Sequence, residues 1–234
     1  MGGIGENNYF KNIKENKIET PNSISSFLYD VLKENKIFSY NKTIIDVGAG
    51  AGNLTKEFKR FKIHAIEKNN IENHFSNRCW QDDFLLTENK YNYFLLNPSC
   101  IFCNPPWNIG KGETKEYINK IKNEFNLKSR PLLPELFLRQ IFLTWANDIP
   151  VVLIVPFGFR LNQLKKSNRT DYLLSCGAEI TSIISLPLDV FPNVKHQSEI
   201  LIFNIPDLKS HYFISKEYYD LDEIQEQKEL EFNK

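Results

Sequence analysis

Cysteine is scarce in this chain: four residues, Cys79, Cys100, Cys103 and Cys176, among 234. They are too few and too irregularly spaced for the disulfide frameworks of small secreted domains, so the thiols are expected to be reduced. Cys100 and Cys103 form a C-x-x-C, yet no second cysteine or histidine pair stands at zinc-finger spacing, and no metal site is expected. Long apolar runs are missing too. None approaches the roughly 20 residues of a bilayer span, and no basic segment followed by an apolar one opens the chain. It therefore reads as soluble and intracellular, without membrane association. Net charge is also lacking: 29 Lys and Arg balance 29 Asp and Glu. This excludes a protein that holds polyanions by bulk charge alone. The balance is uneven, because residues 216–234 carry three Lys against seven Asp or Glu, which leaves residues 1–215 at net +4. No internal repeat is visible.

What is present is a regular alternation of apolar runs and helical patterns between about residues 20 and 205. A hydrophobic content of 41% over this length suits one large core. The apolar runs predict strands near 43–47, 62–67, 78–81, 100–104, 150–157, 179–186 and 198–204. Helices are expected near 22–35, 54–61, 71–75, 134–147 and 163–176. Strands separated by helices imply α/β architecture with a mostly parallel sheet. Only about a dozen residues, rich in proline, separate the last two strands, so an antiparallel pair is expected there. The expected fold is a single Rossmann-like, seven-stranded, mostly parallel sheet whose last strand is antiparallel, with helices on both faces. Residues 1–17 read as an N-terminal extension, 18–205 as the domain, and 206–234 as an acidic polar tail.

Two stretches carry chemistry. The first runs from the strand Thr43–Val47 through Gly48, Ala49, Gly50 and Gly52 towards a helix, the place where α/β sheets receive a nucleoside. Its glycines alternate rather than following the dinucleotide spacing, and Asp46 precedes them, which favours a compact amino-acid nucleoside. Glu67 ends the next strand, where an acid can bind both hydroxyls of a ribose. Asp83 offers a carboxylate for an adenine amino group, and Phe84 an apolar ring for its face.

The second stretch is Asn104-Pro105-Pro106-Trp107. The lone pair of an exocyclic amine on a base is delocalised into the ring, so a catalyst must accept both its hydrogens and turn the nitrogen towards tetrahedral geometry. The Asn104 side-chain oxygen can accept one and the Pro105 carbonyl the other. Residues before proline are held extended, which fixes where both oxygens point. Trp107 supplies a flat face for a base swung out of its strand.

These residues together resemble the class I S-adenosylmethionine-dependent methyltransferases, and within them the N6-adenine DNA enzymes, over roughly residues 18 to 205. The resemblance implies methyl transfer from S-adenosylmethionine to the N6 amino group of adenine in DNA, by direct displacement after base flipping. Thr20 and Pro21 look like the leading element that lies against the methionine part of that cofactor. Asp46, Gly48, Ala49, Gly50, Gly52, Glu67, Asp83, Phe84 and Asn104 match the remaining cofactor elements. Asn104 to Trp107 match the catalytic tetrapeptide, and Phe191 the aromatic that stacks on the flipped base. Cytosine-N4 relatives usually carry Ser in place of Asn104, which favours adenine.

The likeness has gaps. DNA enzymes of this order normally carry a target-recognition domain after the last strand, and about thirty mostly polar residues remain here. Sequence choice is then expected from a partner such as a separate specificity subunit, from loops such as 108–130, which carry net +3, or the reaction is loosely specific; a homodimer is the alternative assembly. Arg160, Lys165, Lys166 and Arg169, with no acid between them, are candidates for phosphate contact, although such runs more often form a solvated helix face. The rRNA adenine dimethyltransferases share the glycine loop but normally have Leu at the place of Pro105. RNA, protein glutamine amides, and a non-catalytic subunit of the same fold remain alternatives.

Overall fold

The computed structural model describes residues 19–39, 42–69, 76–107, 114–127, 133–160, 177–188, 190–191, 197–214 and 218. Among these, eight strands form one sheet: β1 (Thr43–Val47), β2 (Lys62–Glu67), β3 (Arg78–Gln81), β4 (Cys100–Cys103), β5 (Val151–Pro156), β6 (Ile180–Ser185), β7 (Ser198–Phe203) and β8 (His211–Phe213). Their order is β3-β2-β1-β4-β5-β7-β6-β8. All pairings are parallel except those of β7 with β5 and β6, so β7 alone runs against the rest. The seven expected strands are present with the antiparallel member in its expected place. The strand count needs correcting, because β8 extends the sheet into the stretch read as a tail.

Among the described residues, the α-helices α1 (Asn22–Leu32), α2 (Lys90–Phe94), α3 (Lys115–Glu124) and α4 (Leu133–Trp145) accompany the sheet. Alternate side chains of the central strands enter separate cores. Ile44, Phe102, Val152 and Ile202 join Ile24, Leu28 and Leu32 of α1. Ile45, Ile101, Leu153 and Phe203 join Leu136, Phe137 and Ile141 of α4. Helices thus cover both faces, and each fully buried side chain of this kind contributes about 1.5–3 kcal/mol. The same alternation sends Cys100 to one core and Cys103 to the other, so the two thiols of the C-x-x-C cannot meet.

The helix expected at 54–61 is not an α-helix. After Gly52 come a 3-10 turn, Asn53–Thr55, and successive i to i−3 bonds from Thr55, Lys56, Phe58 and Phe61. Only nine residues join Gly52 to β2, and Leu54, Phe58 and Phe61 reach the core from these tight turns. Helix α3 lies within the stretch read as a basic loop. The Thr114 hydroxyl caps it, accepting from Tyr117 N at 3.1 Å. The helices expected at 71–75 and 163–176 fall outside the described residues.

The strand order reverses between β1 and β4, because the chain winds outward from them in opposite directions. Such a reversal opens a crevice beyond the carboxyl ends of the two strands, the usual ligand position in open α/β sheets. The glycine loop leaves β1 there, and Asn104 leaves β4 beside it.

Candidate active site

The loop after β1 is built on left-handed backbone. Gly48, Gly50 and Gly52 have φ of 68°, 54° and 86°, a region that costs other residues roughly 1–2 kcal/mol each. A Cβ added to Gly48 would lie 3.7 Å from the Asn104 carbonyl oxygen and 3.8 Å from the Pro105 Cα. The two sequence motifs, half a hundred residues apart, are therefore in contact. Nothing lies within 4 Å of a Cβ built at Gly50, so the loop faces open space there.

Two carboxylates support this loop. Glu67, at the end of β2, accepts the Gly50 N–H at 3.0 Å with one oxygen, and Asn69 N and Nδ2 at 2.9 and 3.2 Å with the other. Asp46 is completely buried. Its Oδ2 accepts the Thr55 hydroxyl at 2.8 Å, while Oδ1 has no partner among the described residues. Burial pushes the Asp46 carboxyl up to about 7; the Thr55 bond opposes the rise and the charge of Glu67 adds to it. Thr55 was not singled out in the sequence, and its position nine residues after Asp46 is its only signal there.

In the turn after β4, Asn104 is half-buried, Pro105 and Trp107 are buried and Pro106 is exposed. Asn104 Nδ2 donates to the Thr20 hydroxyl at 3.0 Å. Among the described residues neither Asn104 Oδ1 nor the Pro105 carbonyl accepts a hydrogen bond. Thr20 is 6% exposed, and Pro21 occupies the N-cap position of α1 with extended backbone. The Trp107 and Phe191 rings touch edge to face, with centroids 5.9 Å apart. Ser198, buried with an unpartnered hydroxyl among the described residues, begins β7 at this same end of the sheet.

Other expected residues are placed differently. Phe84 is 3% exposed and lies in the core, parallel to Trp145 at 5.9 Å and against Phe137. Its ring also lies near Tyr93, with centroids 6.4 Å apart. Asp83 accepts Leu85 N at 3.2 Å and pairs with Lys68 at 3.5 Å. The neighbouring Asp82 takes bonds from Asn89 Nδ2, the Thr87 hydroxyl and the Tyr93 hydroxyl. Burial works to raise its carboxyl, but these bonds outweigh it and hold the group below the usual carboxylate range.

Arg160 Nε and Nη2 make a bidentate pair with Glu199, each at 3.0 Å. Glu199 is 2% exposed, so the guanidinium serves as counter-ion to a buried carboxylate. Lys165, Lys166 and Arg169 lie outside the described residues. No described helix is long and apolar enough to cross a membrane.

No family model matches the chain, and no curated protein matches it in sequence. Solved structures share its fold. The modification subunit assigned to a type I restriction enzyme of Vibrio vulnificus YJ016 superposes with a TM-score of 0.62 at 17% identity, covering 90% of this chain and 52% of the subunit. A protein of Listeria monocytogenes assigned to the class I S-adenosylmethionine-dependent methyltransferases gives 0.61 at 15% identity, covering 88% and 69%. The methyltransferase subunit of a type I restriction-modification system from Streptococcus thermophilus gives 0.53 at 18% identity, covering 82% and 45%. The fold is that of these proteins, and the chain spans about half the length of the two restriction-system subunits.

Proposed function

We propose that the chain transfers the methyl group of S-adenosylmethionine to the N6 amino group of adenine in DNA, taking the base after it has left the duplex. The observation that carries this reading is the apposition of Asn104 and Pro105 to Gly48 at the switch point, with both acceptor oxygens uncommitted among the described residues. The residues at the crevice suit the cofactor: a glycine loop with open space at Gly50, a buried carboxylate oxygen on Asp46 that has no partner among the described residues, and Glu67 at the end of β2. Thr20 and Pro21 would hold its methionine part, Glu67 its ribose hydroxyls and Asp83 its adenine amino group.

Bound there, the cofactor supplies an electrophilic methyl group on a positive sulfur. Asn104 Oδ1 accepts one hydrogen of the target amine and the Pro105 carbonyl the other, drawing the nitrogen out of conjugation so that its lone pair can attack. Asn104 and the Pro105 carbonyl would hold the amine with its lone pair towards that methyl group, and the methylated nitrogen would release its surplus proton to solvent. Trp107 and Phe191 would stack on the base. Because related subunits are about twice as long and belong to multi-subunit systems, target choice is assigned to a partner subunit or to chain outside the described fold.

Transfer of labelled methyl groups to unmethylated DNA, rRNA and a protein extract tests this. Labelled N6-methyladenine in DNA should appear with the native chain and fall by on the order of 10²-fold or more with Asn104→Ala. Label in rRNA or on glutamine would replace the proposed substrate, and cofactor binding without transfer would make the chain a non-catalytic subunit.

A further inference from the structure

We propose that Thr20 is a positioning residue that sets which end of the Asn104 amide faces the target amine, and that an acceptor group bound in the crevice throws this switch. The inference rests on the cofactor assignment above. The Asn104 amide has two chemically opposite ends. With Oδ1 forward it accepts a hydrogen from the amine; turned by half a rotation it presents two N–H donors to a group whose own hydrogens need acceptors.

A threonine hydroxyl does not decide between these orientations alone. It can accept from Nδ2, as here at 3.0 Å, or donate to Oδ1. The destination of the hydroxyl proton decides. Among the described residues the Thr20 proton has no acceptor, and at 6% exposure the side chain has little access to water. Thr20 precedes Pro21 and helix α1, and its contact with Asn104 places it at the switch-point crevice. A carboxylate bound in that crevice accepts a hydrogen bond from the Thr20 hydroxyl. The hydroxyl oxygen is then left only as an acceptor, Nδ2 is drawn to it, and Oδ1 is held forward. Bonds in such a chain reinforce one another. Loading of the methyl donor and presentation of the amine-accepting oxygen thereby become one event.

Two variants separate this role from simple cofactor contact: Thr20→Val keeps the shape and removes the hydroxyl, and Thr20→Ser keeps the hydroxyl. The first readout does not depend on activity. The side-chain amide signals of Asn104, assigned by their loss in Asn104→Ala, are followed by proton–nitrogen NMR as S-adenosylhomocysteine is added. Shifted signals and slowed amide exchange are expected in the native chain and in Thr20→Ser, and neither change in Thr20→Val at saturating ligand. The second readout is turnover at saturating cofactor, which should fall by on the order of 10²-fold in Thr20→Val and recover in Thr20→Ser. Equal NMR responses in all three proteins, or weakened ligand affinity with unchanged turnover in Thr20→Val, would overturn the inference. If the NMR pattern appears as expected but DNA receives no label, the switch stands and the substrate assignment fails. If DNA is labelled while Thr20→Val responds like the native chain, the reverse holds. A native chain that does not bind S-adenosylhomocysteine overturns both.

Discussion

Trp107 and Phe191 meet with their ring planes at 85° and their centroids 5.9 Å apart. A base stacked by both would need two parallel faces with a gap between them, and this arrangement closes that gap. Phe191 is 2% exposed and Trp107 8%, so the pair is part of the core while no base is present. On the proposed reading, stacking of a base on both rings requires one ring to turn. Phe191→Ala is expected to destabilise the fold by about 3–5 kcal/mol, the usual cost of emptying a buried phenylalanine site, and Phe191→Leu by much less. Urea midpoints measure both. Adenine-containing single strands should quench tryptophan emission in the native protein and not in Trp107→Phe; quenching that survives this change would place the base elsewhere.

Asp46 predicts an unusual dependence of stability on pH. Its folded carboxyl titrates near 7, against an ordinary value of 3.8. Between these values the folded state holds a proton that the unfolded state has released. The contribution is thus complete below about pH 4 and is lost as pH rises through 7. The difference corresponds to on the order of 4 kcal/mol at this buried site. Asp46→Asn, neutral at every pH, should remove the decline. Urea unfolding at pH 5 and pH 8 should show the native chain losing roughly 2–3 kcal/mol more than the variant over that range; parallel losses would refute it.

Much of the fold was legible because β4 and β5 are covered on both faces and so read as unbroken apolar runs, and β1 is broken only by Asp46. The short strand β8 was not legible, since three residues carry no period. Tyr212 gives the strand a long-range anchor, packing on the core within 6.4 Å of Phe27. Leu54, Phe58 and Phe61 have helical spacing, but the short connection to β2 turns them into tight turns. At the site, the residue types of both motifs could be read and their partners could not. Asn104 meets Thr20 across 84 positions and Arg160 meets Glu199 across 39. Local spacing contains neither pairing. Phe84 shows the same limit, because an aromatic beside an acid reads alike whether its faces are open or covered.

The Arg160 pair separates a structural role from a phosphate contact. Arg160→Ala strands Glu199 in the core and is expected to cost about 3–5 kcal/mol. Replacing both partners, Arg160→Met with Glu199→Leu, should recover most of that loss. If Arg160 met phosphate, the double variant would also reduce the salt dependence of DNA binding by about one contact. The expected outcome is recovered stability with an unchanged salt slope, from chemical denaturation and from binding titrations between low and moderate salt.

Glu67 offers a test confined to one atom. Both of its oxygens already accept from the protein, one from Gly50 and the other from Asn69. Glu67→Gln preserves the shape but replaces one acceptor by an NH2 group, which faces either the Gly50 N–H or the Asn69 N–H. One backbone donor is then left without its partner at a site only 8% exposed, a loss of about 1–3 kcal/mol. If the loss falls on Gly50, the left-handed loop is released from β2 and the crevice changes shape. S-adenosylhomocysteine affinity should therefore drop by about tenfold or more, since 1.4 kcal/mol is a factor of ten. Calorimetric titration of the variant checks this, with denaturation of the same sample as control. A variant that loses stability but binds with native affinity would show that Glu67 braces the loop without taking part in ligand recognition.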